Sequence, residues 1–153
     1  MDFKDVIRGK TVIVGIGNIL KGDDGLGPAL VESLKGKTSA VLIDAGTAPE
    51  SYTGRIIREK PDTVLFVDAV HLDRPPGAFD ILRREEILKS GLTTHDLSPR
   101  MLIEYLTAQT QAEIYLLGVQ PHKGNIGLGD GMSREVTDAL KQLEQLIGET
   151  NHA

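Results

Sequence analysis

Thr11–Leu34 reads TVIVGIGNILKGDDGLGPALVESL and changes pattern twice. Thr11–Gly17 is an unbroken β-branched and aliphatic run, as in strands covered on both faces. A glycine-rich turn follows. Then Leu26, Leu30, Val31 and Leu34 fall on one face of a helix over Gly27–Leu34, with Pro28 tolerated in its first turn. Strand, tight turn and amphipathic helix in this order are how a parallel sheet begins.

Outward from this unit the pattern recurs. Ala40–Ala45 (AVLIDA), Thr63–Val70 (TVLFVDAV) and Glu113–Val119 (EIYLLGV) are further buried strands, and Ala78–Leu82 adds a fifth at an edge. Ser98-Pro99 starts a helix whose expected buried face is Met101, Leu102, Tyr105 and Leu106. A last helix opens at Ser133 and buries Val136, Leu140, Leu143 and Ile147. Gly148 is placed to end it, and Glu149–Ala153 reads as a frayed tail. Strands alternating with helices predict an α/β, three-layer αβα sandwich. Its sheet is mostly parallel and twisted, of about five strands, with helices on both faces and right-handed crossovers. No repeat, linker or composition break divides residues 1–153, so one domain is expected.

The 153 residues are 40% hydrophobic and 25% charged, enough for a proper core. A net charge of −5 and the absence of any Lys/Arg run argue against a nucleic-acid surface. No stretch approaches the roughly 20 apolar residues of a membrane helix, and MDFKDVIRGK has no signal-peptide pattern. A soluble, cytoplasmic protein is expected, with neither nucleic acid nor membrane as partner. There are no cysteines, so disulfides, thiolate metal sites and a cysteine nucleophile are excluded together. No H-E-x-x-H and no G-x-S-x-G occurs.

Ligands bind such sheets beyond the carboxyl ends of the strands, where the strand order reverses. Acids and imidazoles gather there: Asp23 and Asp24 after the first strand, Asp44 at the end of the second, Asp68 at the end of the third. His95-Asp96 precedes the Ser98 helix, and Gln120-Pro121-His122 follows the last strand. A nucleotide site fits poorly. Gly15 and Gly17 begin a dinucleotide fingerprint, but Leu20 replaces its third glycine. Gly17 and Gly22 have phosphate-loop spacing, but Asp23 and Asp24 hold the Lys and Ser/Thr positions. At about 4 Å and a dielectric of about 20, each like-charge contact costs about 4 kcal/mol. The turn favours a cation. Asp24, Asp68 and His95 are the candidate functional residues, because three separate segments bring them to one edge. Each also has a structural alternative: Asp24 as a helix cap, Asp68 as a hydrogen-bonded strand end, His95 as a loop residue. Asp23 reads as a structural turn residue. His71 and His122 read as solvated loop histidines.

At these residues the chain resembles the [NiFe]-hydrogenase maturation endopeptidases. Gly15-x-Gly17-Asn18 with Gly22-Asp23-Asp24-Gly25-x-Gly27-Pro28 is similar to their opening signature. Asp44-Ala45-Gly46-Thr47-Ala48-Pro49-Glu50 resembles their Asp-Gly-Gly-Thr loop, Val67-Asp68-Ala69 their third-strand acid, Thr94-His95-Asp96-Leu97 their histidine loop, and Leu117-Gly118-Val119-Gln120-Pro121 their late strand. Asp rather than Glu at position 24 places the likeness in the hydrogenase-3-type branch. Ala45 departs from the loop's second glycine and is expected to stiffen it.

The resemblance implies an aspartic-type, metal-recognising endopeptidase. It would remove the C-terminal extension of a hydrogenase large-subunit precursor after nickel insertion. Asp24, Asp68 and His95 would contact nickel supplied by the substrate, with zinc or cadmium able to substitute in crystals. Asp44, Gly46 and Thr47 would touch substrate, and His71, His122 and Gln120 would either support the site from behind or sit at its rim. A metal polarising the scissile carbonyl and a carboxylate acting as general base both remain open. The free protein is expected to be a monomer. The alternative is a non-catalytic nickel- or substrate-binding scaffold on the same fold.

Overall fold

A computed structural model describes residues 1–90 and 99–150. The apolar runs become the strands of one sheet: β1 (Thr11–Ile16), β2 (Val41–Gly46), β3 (Thr63–Ala69), β4 (Phe79–Arg83) and β5 (Glu113–Val119). Their order is β2-β1-β3-β5-β4. The first four strands in this order pair in parallel, with Val12 opposite Val41 and Val64, and Ala69 opposite Val119. β4 is antiparallel to β5, with Phe79 opposite Val119, and its partly exposed pattern suits an edge.

Successive strand residues point to opposite faces, so each run feeds two cores. Ile13, Leu65, Val67 and Leu117 pack with Phe3 and Val6 of α1 (Phe3–Val6), with Leu30 of α2 (Leu26–Ser33), and with Val136, Ala139, Leu143 and Ile147 of α6 (Arg134–Thr150). On the other face Val12, Val14, Val64, Phe66 and Leu116 pack against α3 (Thr53–Arg58), α4 (Arg84–Ser90) and α5 (Pro99–Gln109) through Ile56, Ile87, Leu102, Ile103 and Leu106. This is the expected three-layer αβα sandwich. Among the described residues no helix is long and apolar enough to cross a membrane.

Local details differ from expectation. On α5 the buried stripe is Leu102, Ile103 and Leu106. Met101 and Tyr105 are exposed, because the helix is rotated by about one position. On α6 Ala139 is buried and Leu140 only partly. Gly148 does not end this helix. It continues to Thr150, whose Oγ1 donates to the Leu146 carbonyl at 2.8 Å. Burial of Ile147 outweighs the glycine penalty of roughly 1 kcal/mol. Residues 149 and 150 are thus helical, while 151–153 lie outside the described residues. The short helices α1, α3 and α4 carry only one or two core residues each, too few to show a helical period.

One close approach sets the geometry of the functional end. Gly27, in the first turn of α2, lies against the backbone of β1 and β3. A methyl there would come within 2.5 Å of the Val67 carbonyl oxygen and closer still to that of Ile16. Both obstacles are backbone and cannot swing aside. Gly27→Ala should therefore destabilise the protein by about 2–3 kcal/mol, lowering the melting temperature by roughly 5–10 °C. A thermal melt against wild type checks this; an unchanged midpoint would mean that α2 can lift freely off the sheet.

Candidate active site

β1 is followed by β2 on one side and, after the chain returns, by β3 on the other. The strand order reverses between β1 and β3, the point where sheets of this kind place a ligand crevice at the carboxyl ends of their strands. The sequence between β1 and α2 and the end of β3 both project to this point.

Asp68 is the second-last residue of β3 and is fully buried. It lies opposite Gly118 of β5. By alternation it shares a face with Val64 and Phe66, the face that α3, α4 and α5 cover. Asp24 belongs to a single 3-10 turn, Gly22–Gly25, packed against β3. Its backbone N–H donates to the Lys21 carbonyl at 3.0 Å. Its half-buried carboxylate accepts the Asn18 backbone N–H at 3.0 Å. The cap of α2 is Gly25, with no side-chain cap bond. Asp24 therefore does not cap the helix; it closes the loop behind it, in a turn packed against β3. The two aspartates flank the switch point from separate segments. His95, with the rest of 91–98, lies outside the described residues. Among the described residues no group of three His, Cys, Asp or Glu side chains is placed to hold an ion.

Asp23 is structural, as expected of a turn residue, and it is fully buried. Its Oδ1 accepts from Ser133 N–H at 2.7 Å and Asn125 Nδ2 at 3.2 Å; its Oδ2 accepts from His122 N–H and Ser133 Oγ, both at 2.8 Å. Ser133 in turn accepts from Val136 N–H at the start of α6. Backbone bonds from Asp23 N–H to the Asn125 carbonyl and from Gly129 N–H to the Leu20 carbonyl, each 2.9 Å, join the same two loops. The joined loops carry four exposed apolar side chains, Ile19, Leu20, Ile126 and Leu128. The partners that make Asp23 structural lie 99 to 110 residues away in the chain.

At the end of β2, Asp44 is exposed and accepts the Gly46 N–H at 3.0 Å; Thr47 is exposed as well. Gly46 has φ +53° with nothing near a Cβ, and its carbonyl accepts the Gly17 N–H at 2.8 Å. Ala45 is the extra residue of a β-bulge opposite Gly15 and Ile16, and its side chain is buried in the core. The left-handed position thus falls on the glycine that is present, and Ala45 acts by packing. The segment after β3 is tied to the end of β5 by the Val70 N–H donating to the Val119 carbonyl and by Gln120. Gln120 is buried, a role its sequence position did not reveal. His71 and His122 are exposed.

A family model described as hydrogenase maturation protease matches residues 28–150. Hydrogenase 3 maturation protease of Escherichia coli K12 is 33% identical over 139 residues, covering 89% of this chain and 87% of that protein. The crystal structure of a [NiFe] hydrogenase maturation protease, HycI, from Thermococcus kodakarensis superposes with a TM-score of 0.89 at 35% identity over 99% of both chains. A crystal structure of a hydrogenase 3 maturation protease superposes with a TM-score of 0.80 at 32% identity, over 93% of this chain and 89% of that one. With the fold, the turn and the strand-end acid all in place, the likeness seen in the residues is one of descent: this chain belongs to the hydrogenase maturation protease family, in its hydrogenase-3-type branch.

Proposed function

We propose that this protease removes the C-terminal extension of a [NiFe]-hydrogenase large-subunit precursor once nickel has been inserted, and that Asp24, Asp68 and His95 read the nickel. The observation that carries the proposal is Asp68, a carboxylate fully buried at the end of β3 beside the crevice that the Asp24 turn borders. Burying a carboxylate is costly, and a fold keeps one at its switch point where a cation or a reacting group makes use of it.

Carboxylate oxygens and imidazole nitrogens suit a borderline divalent ion such as nickel. Without thiolates the set is a weak site by itself, which fits an ion arriving on the precursor. The precursor's nickel would then complete its shell on these side chains, holding the scissile peptide at the crevice. Positioning of this kind supplies much of the rate of a hydrolysis that must not run early. Asp44, Gly46 and Thr47, at the adjoining end of β2, would line the path of the extension. The exposed Ile19, Leu20, Ile126 and Leu128 fit a protein substrate better than a small one.

Incubation with nickel-loaded and nickel-free precursor tests the reading. Shortened product should form from the loaded precursor alone. Binding without a shorter product would favour the scaffold alternative, and equal cleavage of both would remove nickel from the mechanism. Both cores are built of apolar side chains, which offer a metal no ligands, so treatment with a chelator should leave the melt of the free protein unchanged. A fall in the midpoint would identify a structural metal instead.

A further inference from the structure

Gln120 is only 7% exposed, and each polar atom of its amide has a partner. Its Oε1 accepts the Leu72 backbone N–H at 2.6 Å. Its Nε2 donates to the Pro121 carbonyl at 3.2 Å and lies 3.3 Å from His71 Nδ1. The first two contacts fix which way the amide points. Turned over, it would set NH2 against an N–H and oxygen against a carbonyl oxygen. The atom facing His71 is therefore the NH2 group, and His71 Nδ1 must be the acceptor. In the neutral ring the proton is then on Nε2.

The backbone holds this pair in place. Gln120 N–H donates to the Ala78 carbonyl and its carbonyl accepts the Gly77 N–H, both within 2.9 Å. Val70 N–H donates to the Val119 carbonyl, so His71 stands just past the last rung between β3 and β5. It is three residues from Asp68, a chain length that spans at most about 10 Å. The imidazole is exposed, on the carboxyl edge of the sheet where the crevice opens.

We propose that Gln120 is a positioning residue that holds His71 as its Nε2–H tautomer, and that His71 presents this N–H to a carbonyl or carboxylate oxygen of the precursor peptide. The second half rests on the endopeptidase reading above; the first does not. A donor of fixed tautomer and no net charge suits a peptide oxygen and makes no demand on the nickel.

Ring nitrogen shifts of the free protein, measured by NMR where His71 is neutral, should show a pyridine-like Nδ1 and a pyrrole-like Nε2. Two variants then separate recognition from mere support of Gln120. A glutamine side chain can place an NH2 near the ring's Nε2 position; asparagine can place only an acceptor near Nδ1. With nickel-loaded precursor, His71→Gln should keep KM within about twofold. His71→Asn should raise it about three- to tenfold, the worth of one hydrogen bond, with kcat little changed. Gln120→Met should mix the His71 tautomers and raise KM similarly; if it fails to fold, the two His71 variants still decide. A wild-type ring protonated on Nδ1, or His71→Asn matching wild type while His71→Gln loses affinity, would overturn the inference. A wild-type protein that cleaves no precursor would instead count against the endopeptidase reading, leaving the tautomer to be judged from the spectrum.

Discussion

Asp68→Asn should yield a folded protein that has lost cleavage of the nickel-loaded precursor by at least about a hundredfold. The shape of the residue is unchanged, and its neighbours along β3 are Val67 and Ala69, which pair normally with β5. What changes is the charge. A fully buried carboxylate costs more solvation free energy than its neutral isostere. The melting midpoint should therefore stay within a few degrees of wild type or rise slightly, as when a strained functional site is relaxed. Activity has no such compensation. An amide is a poor partner for nickel and cannot accept a proton from water, and a group in either role contributes roughly 10²- to 10⁴-fold. Precursor-cleavage time courses beside thermal melts measure both. A variant that unfolds, or one that still cleaves, would return Asp68 to a purely structural role.

The strands were legible because they depend on local composition. Val12–Val14, Val64–Val67 and Ile114–Leu117 are largely apolar on both faces, and a covered parallel sheet is what makes use of that. Even the edge strand was visible in Ala78–Leu82, close to the observed Phe79–Arg83. The bonding partners of the polar side chains were not legible. A helix cap was the structural alternative for Asp24, yet its side chain bonds back to Asn18, six residues earlier. Gln120 could be read as a supporting or a rim residue, but not as the amide that joins the start of the 70–78 segment to the end of β5. These contacts depend on how the loops fold back on one another, and no pattern of period two or 3.6 encodes them. Helix α5 shows the same limit. Its period was clear, but which stripe faced the sheet depended on packing against Ile87 and the β3 side chains.

Asp23 and Asp24 are adjacent in sequence and should respond to mutation in opposite ways. Asp23→Ala removes the acceptor of two backbone N–H groups, those of His122 and Ser133, and of the Ser133 hydroxyl and the Asn125 amide. The hydroxyl can turn elsewhere, and Asn125 keeps its 2.6 Å bond to the Gly131 carbonyl. The two N–H groups have no such recourse, and each unsatisfied donor costs about 1–3 kcal/mol. The negative charge also faces the first turn of α6, whose dipole favours an anion there. A total loss of about 3–5 kcal/mol is expected, lowering the midpoint by roughly 8–15 °C. Asp23→Asn should lose less. One oxygen remains, and the Ser133 hydroxyl can reverse to accept from the new NH2, leaving His122 N–H as the main conflict. Asp24→Asn, by contrast, keeps an oxygen for Asn18 N–H and should melt like wild type. Assayed well below the melting range, Asp23→Asn should still cleave the nickel-loaded precursor measurably, whereas Asp24→Asn should not. Asp23 variants that melt like wild type would show that the two loops hold together without the buried carboxylate. An Asp24→Asn protein that cleaves normally would mean the turn serves the fold at both positions, and that the crevice draws its chemistry from elsewhere.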